Sequence, residues 1–189
     1  MSRTDRIGGR IKEAAQETHS SRAASVVELS RDLGLRVKEA SLLDARKAEK
    51  QAREQGQVVL NRGTKGGRVR TVPITRRSQL DTLNKAAQTQ IQGKARSMID
   101  PSKSWKEWRE RDIRQINDIL KAHNINSIRE LRASYACDRY EQLTGYSALV
   151  VAGQREVDKN TDRDARSVIS NELGHTRIDV VASYIGSSA

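Results

Sequence analysis

A chain without one phenylalanine has few ways to fill its interior, and this one draws only 3% of its 189 residues from the aromatic class. Its core must come mainly from Leu, Ile, Val and Ala, which suits helices packed along apolar faces, so the expected fold is mainly α. A length of 189 residues fits one well-packed domain, 1–189. No apolar run approaches the roughly 18 residues of a membrane span. The opening MSRTDRIGGRIKEAA lacks the apolar stretch of a secretory signal. A single cysteine, Cys137, permits no internal disulfide and points to a reducing compartment. His19, His123, His175 and Cys137 are scattered along the chain, which speaks against zinc. Neither a metal nor another cofactor is expected.

Charge narrows the partners. There are 35 Lys and Arg against 24 Asp and Glu, a net charge of +11. The excess is uneven: residues 1–80 hold 18 basic and 9 acidic side chains, while residues 81–189 hold 17 and 15. Positive charge gathered in one part of a chain attracts a polyanion over long range, so nucleic acid is the first candidate partner.

Periodicity supplies the organisation. Residues 12–30 read as a helix with Val26, Val27 and Leu29 inward, interrupted at Gly34. A second helix is expected over 36–53, with Val37, Ala40, Leu43 and Ala48 along one stripe and Gly56 closing it. The segment QVVLNRGTKGGRVRTVPI changes period and predicts two short strands around a Gly-rich turn. Val58 and Leu60 fit the first strand, and Val69, Thr71 and Ile74 the second; Pro73 makes it an edge hairpin. Helices return over 80–97, over 104–123 with Ser102 or Ser104 as cap, and over 127–143. Ser127 and Glu130 have the spacing of a capping box. Residues 150–163 read as a polar loop, followed by helical character over 164–173, a break at Gly174, and a weak helix over 178–184.

Four segments together resemble a known family. GLRVKEASLL at 34–43 is similar to the first arginine box of the tyrosine recombinases, the phage-integrase family, and TKGGRVRTVPI at 64–74 resembles their catalytic-lysine hairpin. RELRASYA at 129–136 resembles the second arginine box. ELGHTRIDVVASYIG at 172–186 matches the terminal segment, where a histidine precedes the nucleophilic tyrosine by nine residues. The resemblance implies the DNA breaking-rejoining fold of a catalytic domain. It also implies a site-specific recombinase acting on double-stranded DNA for a phage or other mobile element, in a bacterial cytoplasm.

The resemblance also assigns roles. Arg36 and Arg132 would grip the scissile phosphate through paired guanidinium forks, and Glu39 would help order them. Lys65 would protonate the leaving 5′ oxygen, and His175 would donate a hydrogen bond to the phosphate. Tyr184 would attack phosphorus and form a 3′-phosphotyrosyl link, which conserves bond energy and needs neither ATP nor a metal. Arg68 and Arg70, alternating along the second strand, are expected as DNA phosphate contacts. Read without the resemblance, Arg36, Glu39 and Lys65 are ordinary solvated side chains. Tyr135 and Tyr140 suit packing in an apolar helix, and Tyr146 falls in a loop.

Three departures qualify the pattern. Arg129 stands where the family usually carries a histidine that assists proton transfer, and arginine is a poor proton acceptor near neutral pH. Ala133 occupies a position where many relatives also have histidine. Residues before 34 leave no room for the family's core-binding domain, so the chain is expected to be a fragment of a longer protein, with a reduced member of the family as the alternative. Only five residues follow Tyr184, so the chain is expected to be monomeric in isolation. Other readings stay open: a DNA-binding module weakened in catalysis, which Arg129 favours, a topoisomerase-like nicking and resealing activity, and a basic RNA- or protein-binding helical domain, which Arg36, Lys65, Arg132, His175 and Tyr184 taken together disfavour.

Overall fold

A computed structural model describes residues 3–18 and 20–187, so His19 lies outside the described residues. It is mainly helical with one two-stranded antiparallel hairpin. In chain order it runs α1 (Arg3–Glu17), α2 (Ser21–Leu33), α3 (Val37–Leu42), α4 (Ala45–Gln55), β1 (Gln57–Leu60), β2 (Arg70–Pro73) and α5 (Arg77–Gln92). There follow α6 (Trp105–Trp108), α7 (Arg114–Ala122), α8 (Ile128–Thr144), α9 (Leu149–Ala152), α10 (Lys159–Glu172) and α11 (Ala182–Ile185). Among the described residues no helix is long and apolar enough to cross a membrane.

The core sits where α2 packs between α5 and α8, with α4 against α5 and β1. Buried alanines such as Ala23, Ala40, Ala86 and Ala136 let helix backbones approach closely, and Leu29, Leu33, Leu83 and Ile116 fill the remaining space. The missing phenylalanines are replaced by Trp108 and Tyr135, both buried. The Trp108 indole N–H donates to Ser41 Oγ at 3.0 Å, which satisfies its one polar atom.

Helix boundaries follow capping chemistry more than periodicity. The helix expected over 12–30 is two, α1 and α2, because the Ser20 hydroxyl accepts from Ala23 N and starts a new helix. The helix expected over 36–53 likewise breaks at Asp44, whose carboxylate accepts from Lys47 N. Gly93 caps the end of α5 after Gln92, well before residue 97. Ser104 caps α6 in a full box with Glu107, and a π turn over Arg109–Ile113 joins α6 to α7. Ser127 does begin α8, but without a side-chain cap. Glu130 turns instead to Asn126, accepting from its backbone N–H at 2.8 Å, so the expected box is not made. The polar stretch 150–163 is partly helical: α9 occupies its start, and Asp158 caps α10 earlier than expected. Residues 178–184 begin as a 3₁₀ turn, Ile178–Val181, before α11.

The hairpin forms where expected, with Val58 paired to Val72 and Leu60 to Arg70. Its inner face is not the one hydrophobicity suggests. Val58, Leu60 and Val72 are buried, but so is Arg70, while Val69 is 64% exposed and Thr71 faces outward. Because alternate residues face opposite sides of a strand, burying Arg70 puts Val69 in solvent.

Candidate active site

Glu39 lies at the centre, 1% exposed. Gly34 ends α2 in the left-handed region (φ 61°), where an added Cβ would sit 2.7 Å from Tyr135 Cδ1. The chain then turns through Leu35 into α3, with Arg36 at its N-cap. From the first turn of α3, Glu39 reaches back and accepts from Arg36 N at 2.7 Å and Arg36 Nη1 at 2.8 Å. Arg70 approaches from β2 and grips both carboxylate oxygens, Nη2 to Oε2 at 2.6 Å and Nε to Oε1 at 3.2 Å. Arg132, from α8, places Nη1 3.7 Å from Glu39 Oε2, beyond hydrogen-bonding distance. Burial alone would raise the Glu39 carboxyl, but hydrogen bonds and charge from Arg70, with hydrogen bonds from Arg36, hold it below the usual range.

The same three arginines close the end of α10. Arg70 Nη1 donates to Glu172 O, Arg132 Nη2 to Leu173 O at 3.1 Å, and Arg36 Nη2 to Gly174 O at 3.5 Å. Carbonyls at a helix C-terminus lack intrahelical donors and carry partial negative charge, so cations are favoured there. The chain leaves α10 in a Schellman turn: Gly174 N–H donates to Asn171 O and His175 N–H to Ser170 O. Gly174 has φ 68°, and a Cβ there would meet Arg70 Cδ at 2.6 Å. This turn sets His175 over the arginines.

Arg36, Lys65, Arg68, Arg129, Arg132, His175 and Tyr184 all line one cleft of about 760 Å³. The His175 and Tyr184 rings lie 5.7 Å apart, and the Arg132 guanidinium is 5.8 Å from the Tyr184 ring centroid. Tyr184 is half-buried on α11, whose end is pinned by Arg166 Nη1 donating to Gly186 O at 2.8 Å. Lys65 is exposed at the tip of the hairpin, in a 3₁₀ turn, Lys65–Gly67. Among the described residues, Arg132 Nε and Nη1 and His175 Nε2 are buried without a hydrogen-bond partner. Burial, then the neighbouring cations Arg132, Arg36, Arg70 and Lys65, push the His175 imidazole down to about 4, so it is neutral near pH 7. Burial also lowers Arg132 to about 10, which leaves it charged. Three guanidiniums against one carboxylate leave uncompensated positive charge in a concave site, a setting for a bound anion.

The integrase family model matches residues 4–138, which include Arg36, Glu39, Lys65, Arg129 and Arg132. The chain belongs to the integrase family. That membership carries a general role in DNA integration or recombination and, with it, DNA binding. His175 and Tyr184 lie beyond the matched stretch. No curated protein and no solved structure matches the chain.

In this member of the integrase family the geometry corrects one residue and adds others. Arg70 is not a phosphate contact: it is 6% exposed, and each of its three guanidinium nitrogens is engaged by a protein oxygen. Arg68, two residues earlier, is exposed and on the cleft. Thr176, Arg177 and Val180 also line the cleft and were not singled out in the sequence, although Arg177 stands only two residues past His175. Glu172 was missed as well. It is buried, accepting from Tyr135 Oη at 2.9 Å and Arg139 Nε at 3.0 Å. Tyr140 Oη donates to Asp162 at 2.8 Å. Burial, reinforced by these carboxylates, raises both phenols, Tyr140 to about 12, so Tyr135 and Tyr140 keep their protons. Tyr146 is exposed in the loop after α8. Among the described residues, no group of three His, Cys, Asp or Glu side chains is placed to hold a metal ion.

Proposed function

We propose that this chain is the catalytic domain of a site-specific tyrosine recombinase, cleaving and rejoining double-stranded DNA through Tyr184. The observation that carries this reading is Arg132. It is a charged side chain 3% exposed, with two nitrogens lacking a hydrogen-bond partner among the described residues, beside a half-buried tyrosine at the edge of a basic cleft. An unsatisfied buried guanidinium is costly, and a phosphate supplies the missing acceptors.

The scissile phosphate sits between Arg36 and Arg132, whose donors neutralise its non-bridging oxygens and stabilise the charge that develops on them. Neutral His175 donates from Nε2 to the same group. Tyr184 Oη attacks phosphorus, its proton passing to water, and the bond from phosphorus to O5′ breaks. Lys65, carried in on its glycine-flanked turn, gives a proton to the departing O5′. The products are a 3′-phosphotyrosyl link and a 5′ hydroxyl. Attack by that hydroxyl, or by one from another strand, reverses the step. Arg129 on the rim supplies charge but no proton acceptor, which is the observation favouring a weakly catalytic DNA-binding module as second reading.

The test uses duplexes enriched from a random pool by binding to the chain, then nicked at successive positions so that a cleaved end diffuses away. Covalent adduct is expected on the intact protein and none on Tyr184→Phe, with DNA affinity within about twofold. An adduct on the Phe variant overturns the nucleophile, and no adduct at any nick position favours the binding module.

A further inference from the structure

Arg70 is buried at the cost of exposing Val69, and nothing in the proposed chemistry requires it. A strand in the opposite orientation would bury Val69 and solvate the arginine, the cheaper arrangement for those two side chains taken alone. The orientation found here places the guanidinium on Glu39. It takes both carboxylate oxygens, plus Gly34 O at 3.1 Å and Glu172 O, so one side chain ties β2 to α3, to the turn after α2 and to the end of α10.

The consequence falls on Arg132. Glu39 Oε1 is shared by Arg36 Nη1 and Arg70 Nε, and Oε2 by Arg36 N and Arg70 Nη2. Arg132 Nη1 is left 3.7 Å away with no hydrogen bond to that oxygen, and its Nε is unpaired among the described residues. Without Arg70, Oε2 loses its closest donor, and Arg132 Nη1 can close the remaining gap and tighten a long ion pair into a buried hydrogen-bonded one. Its donors would then be spent inside the protein, and the site would lose one positive charge.

We infer that Arg70 is a positioning residue that occupies Glu39 so that Arg132 stays open to a phosphate. The inference rests on the proposed reading of the cleft as a phosphate site, but it does not need Tyr184 to be a nucleophile. It also links the Lys65 turn to the two arginines, since Lys65 and Arg70 lie on one hairpin.

Inorganic phosphate is the probe, with its affinity measured by calorimetry and adduct formation on nicked DNA measured in parallel. Arg70→Met should weaken phosphate binding roughly tenfold, as expected for removing one nearby positive charge. Adding Glu39→Gln to that variant should restore affinity to within about threefold of the parent, because the carboxylate that captures Arg132 is gone. A merely structural Arg70 predicts the opposite, a second loss on top of the first. Unchanged phosphate affinity in Arg70→Met, or no recovery in the double variant, overturns the inference. Should Arg70→Met fail to fold, Arg70→Lys carries the same test. Its single ammonium covers one carboxylate oxygen, so a smaller loss is expected, again recovered by Glu39→Gln, and absence of that recovery overturns the inference. If phosphate affinities behave as stated while no Tyr184-dependent adduct forms, the positioning role stands and the recombinase reading fails.

Discussion

His175 and Tyr184 face each other across the cleft, ring centroids 5.7 Å apart and planes tilted by 44°. The imidazole is held neutral to about pH 4 by burial and four surrounding cations, well below its ordinary 6.5. In the unfolded chain it takes up its proton first as the solution is acidified. The native state therefore has its full advantage above 6.5 and loses it progressively as pH falls from 6.5 towards 4. The melting temperature should drop across that window, and His175→Asn should flatten part of the slope. An identical slope in the variant would remove the cationic surroundings from the account.

A bound phosphate changes the sign of those surroundings. Its charge favours the imidazolium, so saturating phosphate should raise the His175 titration midpoint by about one unit or more, read from the imidazole proton shifts by NMR.

Arg132 should be a residue that costs stability. It is desolvated, lies among Arg36 and Arg70, and keeps two nitrogens without a hydrogen-bond partner among the described residues. Replacing a buried, poorly paired charge with an apolar side chain of similar length is often neutral or stabilising by about 1–4 kcal/mol. Arg132→Met should melt at or above the parent temperature while losing adduct formation by at least about a thousandfold. A variant that is both inactive and strongly destabilised would mean Arg132 holds the fold rather than the ligand.

How far this site could be read from sequence differs residue by residue. Nothing in periodicity joins Arg36 to Tyr184; the resemblance did, through four segments that α3, the hairpin, α8 and the end of α10 bring to one cleft. The hairpin was legible because its alternation and glycines differ from everything around it. Its facing was not, because hydrophobicity favours Val69 inside and only a carboxylate thirty-one residues away reverses that choice. The breaks at Ser20 and Asp44 were missed for a related reason. Both are made by one side-chain oxygen on one backbone N–H, a signal that serine and aspartate carry at many positions where no helix starts.

Arg68 and Arg70 should separate cleanly despite lying two residues apart. Arg68→Ala, on the cleft rim, should leave stability within about 0.5 kcal/mol and lower the salt slope of DNA binding by about 1. Arg70→Ala should instead destabilise by about 2 kcal/mol, less than for an isolated buried pair because Arg36 and Arg132 still face Glu39. Filter binding across a salt series and thermal melts check both, and a melting temperature unchanged in Arg70→Ala would return Arg70 to the DNA surface.

Arg129 is where the rate should be recoverable. It is exposed at the start of α8, so its replacement disturbs no packing and should change stability by less than about 0.5 kcal/mol. An imidazole at that point on the cleft rim titrates near neutral pH and can accept the Tyr184 proton during attack, which a guanidinium does not. Positioned proton transfer is worth about a hundredfold or more where geometry is good, and the open rim argues for the lower end. Arg129→His should therefore speed single-turnover adduct formation by about tenfold or more, with a rise between pH 6 and 7 that the parent lacks. A variant that binds DNA as the parent does but reacts no faster, with a flat pH profile, would show that proton removal at Tyr184 does not limit this site.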